Sequence, residues 1–166
     1  MSTTTTADGT TTIEAVQDMP SIKMSRDFAA TPAQLVRAHT DPELFVQWVG
    51  PNRTNMTIDY WDARTGGSWR YIDGPGPDGE EYAFHGSFHD VREDRLVQTF
   101  TFEGFPDSVA LETMWFEDLG EGRTRLHIQS LFDSYEARDG MLSSGMDVGV
   151  NDGYAKLDRL LADGTL

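Results

Sequence analysis

The fold of this chain is decided by Thr40–Tyr71, whose sequence is TDPELFVQWVGPNRTNMTIDYWDARTGGSWRY. Its first residues, Thr40-Asp41-Pro42, predict a helix start, because aspartate caps free helix amides and proline fits the first helical turn. The short helix carries Trp48 as a candidate buried residue and ends at Gly50-Pro51. An alternating strand follows, then the corner Thr65-Gly66-Gly67 and a second strand that opens on an aromatic residue. This order predicts short helices beside a sheet that bends around an interior.

Upstream of this stretch, the sequence predicts a further strand and a further helix. Ser21–Ala29 alternates, with Ile22, Met24 and Phe28 on one face. Thr31-Pro32 then starts a helix. The two predicted short helices are Ala33–His39 and Glu43–Val49.

The first residues differ in composition from the rest of the 166-residue chain. Residues 1–19 are rich in threonine, contain no basic residue and are predicted to form a disordered tail. Residues 20–166 are predicted to form a single domain, because the length and the hydrophobic content of 38% suffice for one core.

From Asn55 onward, alternating runs separated by turn-forming residues predict a series of strands. Together with the first strand they make seven, and their short connections predict a mostly antiparallel sheet. The six later strands are predicted at Met56–Asp62, Ser68–Asp73, Tyr82–Val91, Leu96–Glu103, Val109–Asp118 and Thr124–Phe132.

After Asp133 the alternation stops, and apolar residues recur at the spacing of a long amphipathic helix. This helix is predicted to cover the sheet. It carries Gly145, Gly149 and Gly153, each of which costs about 0.8–1 kcal/mol relative to alanine in a helix interior. Close backbone packing against bulky aromatic residues of the sheet is the leading explanation for these glycines, and space left for a ligand is the alternative.

This order of elements resembles the helix-grip fold of the START-related, birch-pollen-allergen-like superfamily called SRPBCC. Within it, the chain resembles the branch named after the activator of the heat-shock chaperone ATPase. The matching positions are Phe28, Ala30, Pro32, Thr40–Trp48, Asp62–Trp69, Gly86–Phe88, Arg95–Val97, Gly122–Thr124 and Met141–Leu161. The resemblance implies an α+β fold with the sheet wrapped around the C-terminal helix. Its relatives include lipid carriers, polyketide cyclases, hormone receptors and antibiotic-sequestering proteins, so it implies no single activity.

The charge of the chain limits its partners. Its 28 acidic and 13 basic residues give a formal net charge of −15, which repels nucleic acids and anionic membranes. The sequence contains no cysteine, no membrane-length apolar run and no signal-peptide pattern, so we expect a cytoplasmic protein. A homodimer through an edge strand or the glycine-bearing helix is an open possibility.

The apolar side chains of each alternating strand should face the helix and line a cavity. Many of them are aromatic, and flat rings are suited to stack on a planar guest. The candidate ligand-binding residues are Trp48, Ile58, Tyr60, Trp69, Tyr71, Phe84, Phe88, Phe100, Phe102, Met114, Phe116, Met141, Gly145, Met146 and Gly149.

The sequence offers few residues for catalysis. His85 and His89 lie four residues apart on a strand, about 13 Å, which is too far to share one metal ion. The loop 74–79 formally matches a dinucleotide glycine pattern, but no helix follows it, so neither a metal nor a cofactor is predicted. If chemistry occurs, the candidates for acid–base work are Tyr60, Tyr71 and Glu112.

Three functions therefore remain open from the sequence. Binding or sequestration of a small hydrophobic or aromatic molecule is the leading hypothesis. A cyclase or aromatase that uses the same cavity is the first alternative, and a stress or chaperone-accessory protein with a vestigial cavity is the second.

Overall fold

A computed structural model describes residues 10–52 and 55–166. One antiparallel sheet has the strand order β1-β2-β8-β7-β6-β5-β4-β3. Its strands are β1 Thr12–Ala15, β2 Ser21–Phe28, β3 Met56–Trp61, β4 Ser68–Asp73, β5 Tyr82–Val91, β6 Arg95–Phe102, β7 Ala110–Gly120 and β8 Arg123–Leu131. The helices are α1 Pro32–Thr40, α2 Pro42–Trp48, α3 Tyr135–Ser143 and α4 Met146–Ala162. Within the described residues, no helix is both long and apolar enough to cross a membrane.

The predicted α+β helix-grip architecture is confirmed, but within the described residues the sheet has eight strands rather than seven. The additional strand is β1, which pairs antiparallel with Ile22–Ser25. It lies inside the segment predicted to be a disordered tail, so that prediction is wrong for Thr12–Ala15. The edge of the sheet offers backbone hydrogen-bond partners to this segment, and a prediction of disorder from composition alone does not take them into account. The first nine residues of the predicted tail lie outside the described residues.

The predicted long C-terminal helix is broken into α3 and α4. Gly145 caps α4 with a φ of 85°, a left-handed conformation that favours glycine. It is therefore not a helix-interior residue, contrary to the sequence-based prediction. Gly153 does lie inside α4, where a β-carbon would come within 2.9 Å of the Trp48 carbonyl oxygen. Close packing explains that glycine, although the neighbour is the end of α2 rather than the sheet.

Helix α4 is fixed to the concave face of the sheet by an ion pair and by packing. The guanidinium of Arg26, which is buried on β2, donates two hydrogen bonds to Asp158 at 3.0 and 2.7 Å. Tyr154 and Leu157 of the same helix are buried in the core. The Tyr154 ring stacks on Trp48, with centroids 5.8 Å apart. These contacts close one half of the space between sheet and helices.

Candidate functional site

The other half of this space is an open groove of about 1,020 Å³. Its floor is formed by the start of β5 and the end of β6, and its walls by the β6–β7 loop, the segment before α3, and α3 itself. Four of the predicted ligand-binding residues line it, namely Phe84, Phe100, Phe102 and Met141.

The floor of the groove consists of aromatic rings in contact with one another. The Phe84 ring centroid lies 5.3 Å from those of both Phe100 and Phe102. Phe102 also contacts Tyr82 and Phe105, with centroids 5.9 Å away in both cases. The Phe105 side chain is 71% exposed, which is unusual for a ring of that size and leaves its surface available to a guest.

Helix α3 forms the facing wall and is held in place by its own arginine. Ser134 caps its first turn by accepting a hydrogen bond from the Ala137 amide. The buried guanidinium of Arg138 donates to the carbonyl oxygens of Val16 and Ser21 at 2.6 and 3.0 Å. The β1–β2 hairpin therefore positions the wall that presents Ala137 and Met141 to the groove.

Most of the remaining predicted ligand-binding residues lie in the packed core. They share low exposure and belong to the buried hydrophobic cluster, and they are Trp48, Trp69, Tyr71, Phe88, Met114 and Phe116. The Trp69 ring stacks on Tyr71 at a centroid distance of 5.4 Å and lies over Gly86, where a β-carbon would approach it to 2.7 Å. Ile58 and Met146 are half-buried against the same core.

Tyr60 was predicted to line the cavity and to be a candidate acid or base, and this prediction is wrong. The strand pairing shifts between Ile58 and Tyr60, because Ile58 pairs with Tyr71 whereas Tyr60 pairs with Arg70. This bulge turns Tyr60 to the outer face, where it is 46% exposed, and brings Trp61 inward instead. Gly145 is exposed and Gly149 faces Pro51, so neither lies among the residues of the groove.

Glu112 lies on the concave face of β7, one inward-facing position beyond the groove-lining Ala110. Its carboxylate accepts hydrogen bonds from Gln98 at 2.9 Å and from Ser130 at 3.2 Å, across the two neighbouring strands. The residue keeps some accessible surface, but protein atoms surround the carboxyl group densely enough for desolvation to raise its pKa. Glu112 therefore favours the protonated form more than an ordinary glutamate does.

Two tyrosines share this interior region with Glu112. Burial raises the pKa of Tyr71 and of Tyr154, and the nearby Glu112 carboxylate raises both further. Both phenols stay protonated at neutral pH, so Tyr71 can serve as a hydrogen-bond donor but not as a base.

His85 and His127 lie outside this region. His85 faces away from the concave side and bonds to Glu103 at 2.9 Å, while His127 bonds to Glu117 at 2.8 Å. His39, by contrast, is buried. Within the described residues, no three side chains of histidine, aspartate or glutamate are grouped so as to hold a metal ion.

Sequence reasoning missed the parts of the groove that do not belong to strands. The groove is also lined by Gly104–Ser108, Phe132 and Gly140. From the sequence, the segment between the two predicted strands at Gly104 was interpreted only as a turn. The available signal was Phe105, because a phenylalanine between glycine and proline in a turn is not explained by turn chemistry.

The chain matches one protein-family model over most of its length. The family model described as activator of Hsp90 ATPase homolog 1-like protein matches residues 29–162. The chain belongs to this family. Membership supports a ligand-binding fold in general terms. No curated protein matches the chain.

Solved structures similar to this chain come from several bacteria. A protein from Rhodobacter sphaeroides is 28% identical with a TM-score of 0.80, and the match covers 91% of this chain and 97% of that one. A protein from Arthrobacter aurescens is 26% identical with a TM-score of 0.81, covering 91% of each chain. The AHSA1 protein from Silicibacter pomeroyi is 19% identical with a TM-score of 0.68, covers 86% of this chain and 97% of that one, and shows the fold alone.

Proposed function

We propose that this family member binds or sequesters a small molecule with a flat apolar body in the groove between β5, β6 and α3. The observation that carries the proposal is the open, ring-floored volume of about 1,020 Å³. Ligand pockets commonly have volumes of about 300–1,000 Å³ and mostly apolar walls, so the groove has the size and the surface of such a site.

The shape of the groove favours a planar guest over a flexible chain. Phe84, Phe100 and Phe102 present their rings at interplanar angles of 36–37°, so they form a shallow curved floor. A flat molecule can stack on this floor while Met141, an adaptable side chain, closes over it from α3.

Gly140→Leu tests the proposal directly. Gly140 lines the groove on α3, and a β-carbon there would meet no atom outside its own stretch of helix within 4 Å, so a leucine side chain can extend into the ligand space. We expect the variant to bind N-phenyl-1-naphthylamine at least about tenfold more weakly in a fluorescence titration. Its melting temperature should not fall, because leucine is a better helix former than glycine.

Ser143→Leu is the matched control, since it adds the same side chain to an exposed position of the same helix outside the groove. It should bind the probe as the unaltered protein does. Equal binding by the Gly140→Leu and Ser143→Leu proteins would place the probe elsewhere and refute the proposal.

Glu112 favours a second candidate function, an enzyme of the cyclase or aromatase type. A carboxyl group with a raised pKa beside the inner end of the groove can give a proton to a bound guest. Binding and turnover are distinguished by recovering the guest after incubation, because only an enzyme returns it chemically altered.

A further inference from the structure

We propose that the groove selects an organic cation, such as an aromatic or alkyl amine or a quaternary ammonium compound, over a carboxylic acid of the same shape. This inference rests on the proposed function, because it assigns a ligand class to the same site. It is carried by the combination of a ring-floored cavity with the charges around it.

Among the residues that the structure describes, all the charged side chains that line the groove are acidic. They are Asp107 on the β6–β7 loop, Asp133 before α3 and Glu136 in its first turn. All three are exposed at the groove, and within 10–52 and 55–166 none of them forms an ion pair. A bound cation would therefore find negative charge that no protein cation already neutralises.

Arg138, which follows the groove-lining Ala137 in sequence, does not alter this balance. Its guanidinium donates to the carbonyl oxygens of Val16 and Ser21 and to the Asp139 carboxylate at 2.7 Å. It is absent from the groove lining. A carboxylate guest would consequently meet three like charges, with no opposite charge among the described lining residues to compensate them.

The aromatic floor adds a second attraction for cations. Ring faces attract an ammonium group within about 6 Å of the centroid, and the interaction strengthens when water is excluded. Phe102 and the largely exposed Phe105 form an edge-to-face pair at the groove, close to the loop that carries Asp107. A guest with an apolar body and a cationic end can thus use the rings and the carboxylates together.

The test compares three probes that share one ring system: 2-naphthylethylamine, 2-naphthylethanol and 2-naphthylacetic acid. Affinities are measured by calorimetry at neutral pH. We expect the amine to bind at least about tenfold more tightly than the acid, with the alcohol between them. The preference for the amine should shrink as salt is added, because the carboxylates are exposed.

Charge-neutralising variants locate the origin of the preference. In the triple variant D107N/D133N/E136Q, the amine should lose about 5- to 20-fold in affinity, since each exposed pair contributes modestly. The alcohol should bind unchanged. The control triple variant E93Q/D94N/E121Q removes the same charge from turns at the opposite ends of β5–β8 and should leave all three affinities unaltered.

The outcomes separate this inference from the function on which it rests. If the alcohol binds, Gly140→Leu blocks it and the amine has no advantage over the acid, the cation preference is wrong while the groove remains a binding site. An equal loss of amine binding in both triple variants would assign the preference to net charge and overturn the inference. If Gly140→Leu affects none of the three probes, the proposed function and the cation preference both fail.

Discussion

At the scale of single residues, His39 shows how burial overrides a local argument. Its Nδ1–H donates to the Leu35 carbonyl oxygen at 2.7 Å, and its ring meets Trp48 and Phe116 edge-on. Burial lowers the pKa of His39 to about 4, whereas a position near a helix C-terminus alone would favour the charged form. The imidazole is therefore neutral in the folded protein at neutral pH.

This buried histidine makes the stability of the protein sensitive to acid. Because the folded pKa is about 4 and the ordinary value is 6.5, the unfolded state takes up the proton first as the pH falls. The stabilising contribution of neutral His39 is fully present above about pH 6.5 and is lost progressively towards pH 4. There the free energy of unfolding is lower by about 3 kcal/mol. When the free energy of unfolding is measured in urea at a series of pH values, the His39→Leu variant should lack this decrease towards acid pH.

The control variant is His89→Gln, which removes an imidazole from an exposed position rather than from the core. The difference between the curves of the unaltered protein and the His39→Leu variant removes the contribution of other groups. Parallel curves over the whole pH range would show that His39 does not titrate on unfolding as expected.

At the scale of elements, the groove wall formed by α3 depends on the attachment of that helix to the β1–β2 hairpin. Arg138→Met removes the donors to the Val16 and Ser21 carbonyls while keeping most of the side-chain volume. We expect a loss of about 1–3 kcal/mol in stability, faster hydrogen exchange in α3, and weaker binding of N-phenyl-1-naphthylamine.

A variant at the neighbouring Asp139 distinguishes the bonds of Arg138 to the hairpin from its ion pair. Asp139 is 67% exposed, so Asp139→Asn removes the partner of the Arg138 ion pair but leaves the bonds to the hairpin. It should change stability and α3 exchange only slightly, because exposed ion pairs contribute little. Equal effects of Asp139→Asn and Arg138→Met would mean that the hairpin contacts do not hold the helix.

The elements also show where prediction from sequence succeeded and where it failed. Alternation and turn chemistry located the strands and both short helices to within one or two residues, since these signals are local. The bulge beside Tyr60 and the break at Gly145 depend on how strands pair and how helices meet, and neither leaves a periodic signal. Strand β1 was missed for the same reason, because its pairing partner decides its structure.

At the scale of the whole molecule, the concave face of the sheet has two different halves. Around Phe88, which is 2% exposed, α1, α2 and α4 close the interior with packed rings. Around Phe102, which is half-buried, the interior opens into the groove beside α3. Sequence parity identified both residues as inward-facing but could not distinguish them, because the difference lies in which helix covers each half.

This division predicts that stability and binding respond to different phenylalanines. Phe88→Ala should cost about 3–5 kcal/mol, because it opens a cavity in a closed core. Phe102→Ala should cost only about 1–2 kcal/mol, since water already reaches part of that ring, yet it should weaken binding of N-phenyl-1-naphthylamine at least about fivefold. Urea unfolding and fluorescence titration of both variants measure the two effects.

The milder Phe88→Leu keeps the closed half filled and allows binding to be measured in a fully folded protein. It should bind the probe as tightly as the unaltered protein does. If Phe88→Leu weakens binding as much as Phe102→Ala while both proteins stay folded, the guest must reach into the closed half, and the two halves form one cavity. If instead only Phe102→Ala loses affinity, the half closed by α1, α2 and α4 takes no part in binding, and the open half beside α3 carries it.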